Sequence, residues 1–305
     1  MYELPDITEI VALALAEDLG VPAGQLRGAS GVTGALLQRD VTTSTVIDSD
    51  ARFSGTVVAR QDAVVAGLPL VAAVFDTLSS AATFFEPVEV FPLVAEGSRV
   101  EAGTPVLEVE GVAWAVLAGE RTALDFLMLM SGIATEAARW VEAAGPDLAV
   151  CDTRKTWPGM RMLSKYAVAI GGGTNHRAGL WDMALVKDNH IRHAGGIAAA
   201  VASVRDSRPD LRVEVEADTL AQAEEAARAG ADIVLLDNMS DELLAEAVLA
   251  IREIVEQTGN QVLTEASGNM TFDRLASLRE TGVDRVSASA LTLRAQPIDF
   301  GLDER

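Results

Sequence analysis

The sequence has few of the residues on which several classes of protein depend. Its 305 residues include one cysteine, Cys151, so the chain can form neither an internal disulfide nor a CxxC metal site, as is typical of the reducing cytosol. It has no run of about 18 uncharged apolar residues that would span a membrane, and residues 1–10 lack the features of a signal peptide. We therefore expect a cytoplasmic protein with no membrane partner.

Positive charge is also scarce. Twenty-four lysines and arginines face 45 aspartates and glutamates, which gives a net charge of −21. Such a surface repels nucleic acid and anionic membranes, and it disfavours phosphate binding anywhere except in a local basic pocket. We therefore expect no nucleic-acid partner.

Residues 152–193, called the basic island below, are the exception. Seven lysines and arginines face three aspartates there, a local charge of +4. The island also holds every lysine and histidine of the chain, namely Lys155, Lys165, Lys187, His176, His190 and His193. Such an island indicates an anion-binding site. The alternative is a patch of salt bridges to acidic residues elsewhere.

The first third of the chain combines a helix with short strands. Residues 6–19 predict an amphipathic helix with Asp6 as its N-cap, and residues 20–39 predict a loop. From residue 51 to 110 the pattern is β-rich, and residues 95–110 predict a hairpin around Gly97 and Gly103. This hairpin is similar to those of biotinyl and lipoyl carriers, but the segment has no lysine to carry such a group.

The rest of the chain alternates strands with helices. Residues 120–144 predict a helix, with a possible break at 131–132. Six apolar strands follow, at 148–152, 183–188, 212–217, 232–238, 262–267 and 284–289, with a possible seventh near 170–174. This α/β pattern predicts an incomplete (β/α) barrel of six to seven parallel strands with an N-terminal α/β sandwich domain. No GxGxxG follows the first strand, which argues against a dinucleotide fold.

We accordingly expect two domains. The N-terminal sandwich domain covers residues 1–120 and is rejoined by residues 291–305, and the catalytic barrel covers residues 121–290.

Polar residues stand at the carboxyl end of every predicted strand, where barrel enzymes place their chemistry. One set is cationic and suits carboxylates or phosphates: Arg154, Lys155, His176, Arg177 and Lys187. Glu216 and Asp237 form an acidic pair that suits Mg²⁺ bound to substrate phosphates, although salt bridges to the cationic set would also explain the pair. Glu214 lies two residues before Glu216, so both should face the barrel interior.

The run DTRKTWPGMRMLSKYAVAIGGGTNHRAGLWDMALVKDNHI, at residues 152–191, closely resembles the signature of the quinolinate phosphoribosyltransferase family. The segments ERTALDFLMLMSGIAT, VEVEADT, LLDNMS, TEASGNMT and VDRVSASALT resemble its other blocks in the same order. The resemblance spans nearly the whole chain. It implies a Mg²⁺-dependent enzyme that makes nicotinate mononucleotide, diphosphate and CO₂ from quinolinate and 5-phosphoribosyl 1-diphosphate, a step of NAD biosynthesis.

The resemblance also implies roles for individual residues. Arg154, His176 and Arg177 would hold the carboxylates of quinolinate, and Lys155 and Lys187 would bridge towards the phosphoribosyl group. The residues near the 5′-phosphate would be Ser267, Gly268 and Ser289.

The metal and the partner subunit have implied residues of their own. Glu216 and Asp237 would bind Mg²⁺ and the ribose hydroxyls, and would act in catalysis with Lys155 and Lys187. Arg121 would reach into the site of a neighbouring subunit, which makes a homodimer the functional unit. A solvated arginine in the first turn of a helix is the alternative for Arg121.

The sequence departs from the family pattern in three places. Asn269 follows Gly268 where members often have a second glycine, and Leu293-Arg294 stands where many have His-Ser, so no role is assigned to that pair. Residues 20–39 are longer than the usual link before Thr42-Thr43.

Two other functions remain open at this point. Lys187 at a strand end is consistent with a Schiff-base aldolase. A non-catalytic small-molecule sensor or carrier-like scaffold would explain the N-terminal domain, but not the charged residue at each strand end.

Overall fold

The computed structural model describes residues 4–26, 36, 38–81 and 86–305. Residues 27–35 and 37 of the loop predicted for residues 20–39 lie outside this part of the chain. Among the described residues, no helix combines the length and the apolar character that a membrane span requires.

The elements follow one another in the predicted order. The helices are α1 (Thr8–Leu19), α2 (Thr43–Val46), α3 (Leu68–Ala81), α4 (Ala113–Ala144), α5 (Arg161–Ile170), α6 (Asp188–Ala194), α7 (Ile197–Ser207), α8 (Leu220–Arg228), α9 (Asp241–Thr258), α10 (Leu275–Thr281) and α11 (Ala290–Leu293). The strands are β1 (Arg52–Ala59), β2 (Ala63–Val64), β3 (Glu89–Pro92), β4 (Arg99–Val100), β5 (Pro105–Val112), β6 (Ala149–Cys151), β7 (Ala184–Val186), β8 (Val213–Ala217), β9 (Ile233–Asp237), β10 (Leu263–Ser267), β11 (Arg285–Ser287) and β12 (Phe300–Glu304).

The chain forms two compact units. The first comprises residues 1–136, 162–171 and 295–305, and the second comprises residues 137–161 and 172–294. The boundary between them falls inside α4, because this helix is continuous over 32 residues. The division predicted at residue 120 would cut the same helix near its start.

The first unit is built on an antiparallel sheet with the strand order β12-β1-β5-β3. The C-terminal strand β12 returns to pair with β1, with Gly55 opposite Glu304. The predicted hairpin at 95–110 is wrong: β4 pairs with β2, whereas β5 pairs with β1 and β3. The turn at Gly103 therefore separates two sheets, and its N–H donates to the carbonyl of Ala59 at 2.7 Å.

Two other predictions about helices are corrected. The helix predicted from residue 6 begins at Thr8, and Asp6 accepts a hydrogen bond from the Thr8 N–H at 3.0 Å. The break considered at 131–132 is absent, because α4 runs through both residues. Gly132 is required for another reason: the backbone of Gln296 lies directly against it.

The second unit contains the six predicted parallel strands, in the order β6-β11-β10-β9-β8-β7. The bodies of β8, β9 and β11 are almost fully buried, as expected for a parallel sheet covered by helices. The possible seventh strand is reduced to one parallel bridge, between Cys151 and Thr174. The barrel is therefore incomplete, as predicted.

The close approach at Gly132 gives a prediction about stability. In Gly132→Ala, the added Cβ would overlap the carbonyl oxygen of Gln296. Overpacking of this kind costs about 1–3 kcal/mol, which exceeds the gain of about 1 kcal/mol in helix propensity. We expect a lower midpoint in guanidinium denaturation.

Gly24→Ala is the matched control, because among the described residues no atom beyond its chain neighbours lies within 4 Å of a Cβ at that position. Its midpoint should be close to that of the wild type. A Gly132→Ala protein as stable as the wild type would contradict this packing.

Candidate active site

The polar residues predicted at the strand ends lie at one edge of the parallel sheet. Lys187 directly follows β7, Glu216 lies near the end of β8, and Asp237 and Ser267 end β9 and β10. In the strand register Ser267 lies opposite Asp237. Because all six strands are parallel, these side chains share the carboxyl edge of the sheet, where barrel enzymes bind their substrates.

A cavity of about 210 Å³ lies at this edge. Its lining contains two cations and no carboxylate: Thr153, Lys155, Ser267, Gly268, Asn269, Met270, Thr271, Ser287, Ala288, Ser289, Ala290 and Arg294. Hydroxyl groups, main-chain amides and two positive charges around one space are suited to bind an anion such as phosphate. The predicted phosphate residues Ser267, Gly268 and Ser289 all belong to this lining.

The turn after β10 has a geometry that only a glycine fits. Gly268 has φ +92°, and a Cβ there would lie 2.8 Å from the main-chain nitrogen of Asn238 and overlap its side chain. The Asn238 N–H in turn donates to the carbonyl of Ser267 at 3.0 Å. Asn269 has φ +49°, a conformation that asparagine tolerates better than most residues. Asparagine therefore replaces the family's second glycine without losing the turn.

Arg154 and Arg177 form a pair of neighbouring cations. Burial, followed by the charge of Arg154, lowers the pKa of Arg177. The Nε of Arg154 is buried and has no hydrogen-bond partner among the described residues. One Nη of Arg177 donates to the carbonyl of Met183 at 3.2 Å. Two neighbouring guanidinium groups are stabilised by an anion, and their planar donors match a carboxylate.

His176 points into the interior of the second unit. Its Nε2 lies 3.0 Å from Glu214 and 3.4 Å from Glu265, and its Nδ1 accepts a hydrogen bond from the Arg177 N–H at 2.8 Å. The main-chain N–H of His176 donates to the carboxylate of Asp152 at 2.9 Å. Both ring nitrogens therefore have protein partners. Its predicted role as a ligand for quinolinate stays a prediction.

The carboxylates beside His176 are fully buried, and Arg285 completes the group. Its Nε lies 3.3 Å from Glu265, and its guanidinium also donates to the Cys151 sulfur at 3.1 Å and 3.3 Å. Burial, reinforced by the charge of Glu265, raises the pKa of Cys151 to about 12. The thiol therefore stays protonated and takes no part in nucleophilic chemistry at neutral pH.

The group of His176, Glu214, Glu265 and Arg285, called the buried cluster below, holds one additional proton. Burial alone would lower the pKa of His176, but its contacts with Glu214 and Glu265 outweigh burial and raise the pKa to about 9. Burial raises the pKa of Glu214. Both shifts indicate one additional proton in the cluster, and this proton makes the cluster neutral. Because the Nδ1 of His176 accepts the Arg177 N–H and so carries no proton, the additional proton is assigned to Glu214. A buried group of charges has to be balanced in this way.

Lys187 and Glu216 form an ion pair at the strand ends. The salt-bridge alternative for the acidic pair is therefore realised for Glu216 in this structure. Asp237 accepts a hydrogen bond from the Asn238 side chain at 2.6 Å. Both residues still offer carboxylate oxygens at one edge of the sheet, which suits a Mg²⁺ ion that keeps several waters.

Two predicted cations lie outside this constellation. Arg121 belongs to the first unit and is largely exposed, and its guanidinium lies 3.2 Å from Asp125 one helical turn away. Lys165 belongs to the basic island but is 2 % exposed in α5, and is therefore a core residue of the first unit. Anion binding by the rest of the island stays a prediction, and Lys165 does not belong to that site because it is buried in the core of the first unit.

Sequence reasoning missed three residues. Glu265 and Arg285 belong to the buried cluster, and Arg294 lines the phosphate-sized cavity. The sequence did contain a signal for Glu265 and Arg285. Each lies two residues before a strand-end serine, Ser267 or Ser287, and therefore faces the same side of its strand as that serine. The position of Arg294 has no comparable sequence signal.

Comparison with known proteins connects this geometry to one family. Residues 40–131 match the family model "Quinolinate phosphoribosyl transferase, N-terminal domain", and residues 133–303 match the model of the C-terminal domain. Together the two matches cover both the first sheet and the parallel sheet.

Individual relatives agree with the family match. The chain is 38% identical over 265 residues to the carboxylating nicotinate-nucleotide pyrophosphorylase of Mycobacterium leprae, covering 87% of this chain and 90% of the relative. It is 41% identical over 247 residues to a probable enzyme of the same name from Synechocystis, covering 80% of each chain. The crystal structure of NadC from Streptococcus pyogenes superposes with a TM-score of 0.85 at 35% identity, covering 100% of this chain and 99% of that one.

Proposed function

The chain belongs to the quinolinate phosphoribosyltransferase family, and from this premise we propose that it transfers the phosphoribosyl group of 5-phosphoribosyl 1-diphosphate to quinolinate. The products are nicotinate mononucleotide, diphosphate and CO₂. Two observations carry the proposal: a pair of neighbouring arginines suited to a dicarboxylate, and a cationic cavity at the carboxyl edge of the sheet suited to a phosphate.

Arg154 and Arg177 are the proposed ligands of quinolinate. The partnerless Nε of Arg154 is the strongest single argument, because a buried donor without an acceptor costs about 1–3 kcal/mol until a ligand satisfies it. Binding in this position would also fix the orientation of the pyridine ring, so that its nitrogen meets the anomeric carbon of the second substrate.

The cavity beside Lys155 is the proposed site of the 5′-phosphate. Lys155 supplies charge, and the turn at Gly268 brings main-chain amides and the Ser267 hydroxyl to the same space. The Thr292 hydroxyl donates to the carbonyl of Lys155 at 2.8 Å and so fixes the main chain from which this lysine extends.

Glu216 and Asp237 are the proposed ligands of Mg²⁺. When bound, the ion would stabilise the negative charge of the departing diphosphate. Lys187, paired with Glu216, lies at the same edge and adds positive charge for the same leaving group. Departure of diphosphate leaves an oxocarbenium-like ribose, which the pyridine nitrogen attacks. The positive charge that then forms on the ring favours loss of CO₂ from the adjacent carbon, because it stabilises the electron pair left there, and that carbon then takes up a proton from solvent.

We further propose that Arg121 completes the quinolinate site of a second subunit in a homodimer. Its side chain is 61% exposed, and its one ion-pair partner among the described residues is Asp125 in the same helix. A surface pair at this spacing contributes about 0.3–0.5 kcal/mol. The pair is therefore too weak to prevent Arg121 from leaving Asp125 to bind a buried dicarboxylate.

The alternatives from sequence are less well supported by this geometry. A Schiff-base lysine acts as a free amine, whereas Lys187 is engaged with Glu216. A non-catalytic scaffold gives no reason for a pair of neighbouring arginines together with a cationic cavity at the sheet edge. We therefore retain the transferase as the proposed function.

The reaction can be tested directly. The protein is incubated with carboxyl-labelled quinolinate, 5-phosphoribosyl 1-diphosphate and Mg²⁺, and release of CO₂ is measured together with nicotinate mononucleotide. Both products should form in equal amounts. Nicotinate serves as the control substrate, because it lacks the second carboxylate. Absence of both products with quinolinate would refute the proposal.

The phosphate site gives a second prediction. Gly268→Ala should raise the KM for 5-phosphoribosyl 1-diphosphate by about tenfold or more, because the Cβ displaces Asn238 and with it the amides of the turn. The KM for quinolinate should change little.

The matched control is Gly230→Ala. Gly230 has a similar φ of +84° but open space where its Cβ would stand, so this variant has the same backbone strain and no collision. Equal KM changes in the two variants would show that the collision at Gly268 does not matter for phosphate binding.

A further inference from the structure

The buried cluster has no assigned part in the proposed reaction, yet it brings four ionisable side chains together inside the second unit. Glu214 and Glu265 are each 0% exposed, and none of their four carboxylate oxygens has a well-directed hydrogen bond. Burial of an ion carries a penalty of several kcal/mol, and apolar residues of similar volume are often equally stable in such positions. The stability of the core alone therefore does not account for this group.

We propose that Glu214 and Glu265 are positioning residues that hold the His176 ring inside the barrel and thereby aim Arg177 at the dicarboxylate. This inference rests on the proposed function, because it gives Arg177 the role of a quinolinate ligand. In this role the His176 side chain supports Arg177 and does not contact the substrate.

The contacts of His176 support this role. The carboxylates hold Nε2 on one side of the ring, at 3.0 Å and 3.4 Å. On the other side, Nδ1 accepts the main-chain N–H of Arg177 at 2.8 Å. The ring therefore links the buried carboxylates to the backbone of the residue that carries the guanidinium. Asp152 adds a third tether by accepting the His176 N–H at 2.9 Å.

The local backbone needs such a tether, because regular sheet pairing ends before it. Only Thr174 bridges to β6, and residues 175–183 belong to no strand or helix. A loop position on which a substrate contact depends has to be fixed by side-chain packing and hydrogen bonds, since a displacement of about 1 Å can reduce a rate about 100-fold.

Arg285 explains why two carboxylates are present. Its guanidinium lies 3.3 Å from Glu265, so Glu265 is shared between Arg285 and the ring. Glu214 supplies the second acceptor for the ring. A divalent cation held by His176, Glu214 and Glu265 is the competing explanation, since one ligand atom from each lies within 4.8 Å of the others. The adjacent guanidinium disfavours a second cation at this place.

The kinetic test uses Glu265→Gln, which removes the charge and keeps the shape. We expect the KM for quinolinate to rise about tenfold or more, while the KM for 5-phosphoribosyl 1-diphosphate stays within about twofold. Glu214→Gln removes the other acceptor and should have the same selective effect, which keeps the test valid if one variant fails to fold. Glu253→Gln, exposed on α9, is the control and should match the wild type.

A merely structural role predicts a different pattern. Loss of folded protein would lower the apparent kcat and leave both KM values unchanged. That result would overturn the proposal, as would an equal rise in both KM values.

An NMR measurement tests the anchoring without relying on activity. The chain has three histidines, and His190 and His193 are exposed, so a slowly exchanging ring N–H signal in the wild type is expected from His176 alone. The signal should disappear in His176→Gln and shift or exchange faster in Glu265→Gln. If the wild type shows this signal but forms no nicotinate mononucleotide, the proposed function fails while the anchoring stands.

Two outcomes would contradict the anchoring itself. One is a His176 signal that is absent from the wild type or unchanged in Glu265→Gln. The other is one equivalent of divalent metal in the purified wild type, measured by mass spectrometry, that is lost in Glu265→Gln. Such a metal would show that the three residues form a metal site instead of a ring anchor.

Discussion

Charge buried inside the second unit has to be neutralised locally, and this requirement constrains the structure around it. Glu214 and Glu265 are balanced by Arg285 and by one additional proton, assigned to Glu214. The ring is thereby held in the barrel, and the main chain of Arg177 is hydrogen-bonded to it. Arg177 is in turn close enough to Arg154 for the charge of Arg154 to lower its pKa. A neutral interior thus adjoins a pair of neighbouring cations.

The same separation of charge lets an acidic chain bind anions. A net charge of −21 opposes the approach of two polyanionic substrates. The lining of the phosphate-sized cavity compensates with Lys155 and Arg294 and with no carboxylate. Glu214 and Glu216 lie two residues apart and therefore face the same side of β8. Glu214 stands in the body of the strand and is fully buried, whereas Glu216 lies near its carboxyl end and is only partly buried. The strand β8 therefore supplies both a residue of the buried cluster, Glu214, and a proposed metal ligand, Glu216.

The sequence was sufficient for the strands and for the residues at their ends, because apolar runs and polar termini are local patterns. It was not sufficient for contacts between distant segments. The hairpin around Gly103 was wrong because its strands join different sheets, and the break at Gly132 was wrong because that glycine accommodates the backbone of Gln296. Lys165 carried the right charge for the anion site but is buried elsewhere. The orientation of His176 depends on Glu265, 89 positions along the chain, and composition gave no indication of it.

The central claim is that two arginines hold the dicarboxylate while His176 stays inside the barrel. A crystal structure of the protein with quinolinate bound tests it most directly. The account predicts carboxylate oxygens within hydrogen-bond distance of the guanidinium groups of Arg154 and Arg177, with the His176 ring still between Glu214 and Glu265. Quinolinate bound away from both arginines, or a His176 ring turned outward to contact it, would contradict the account.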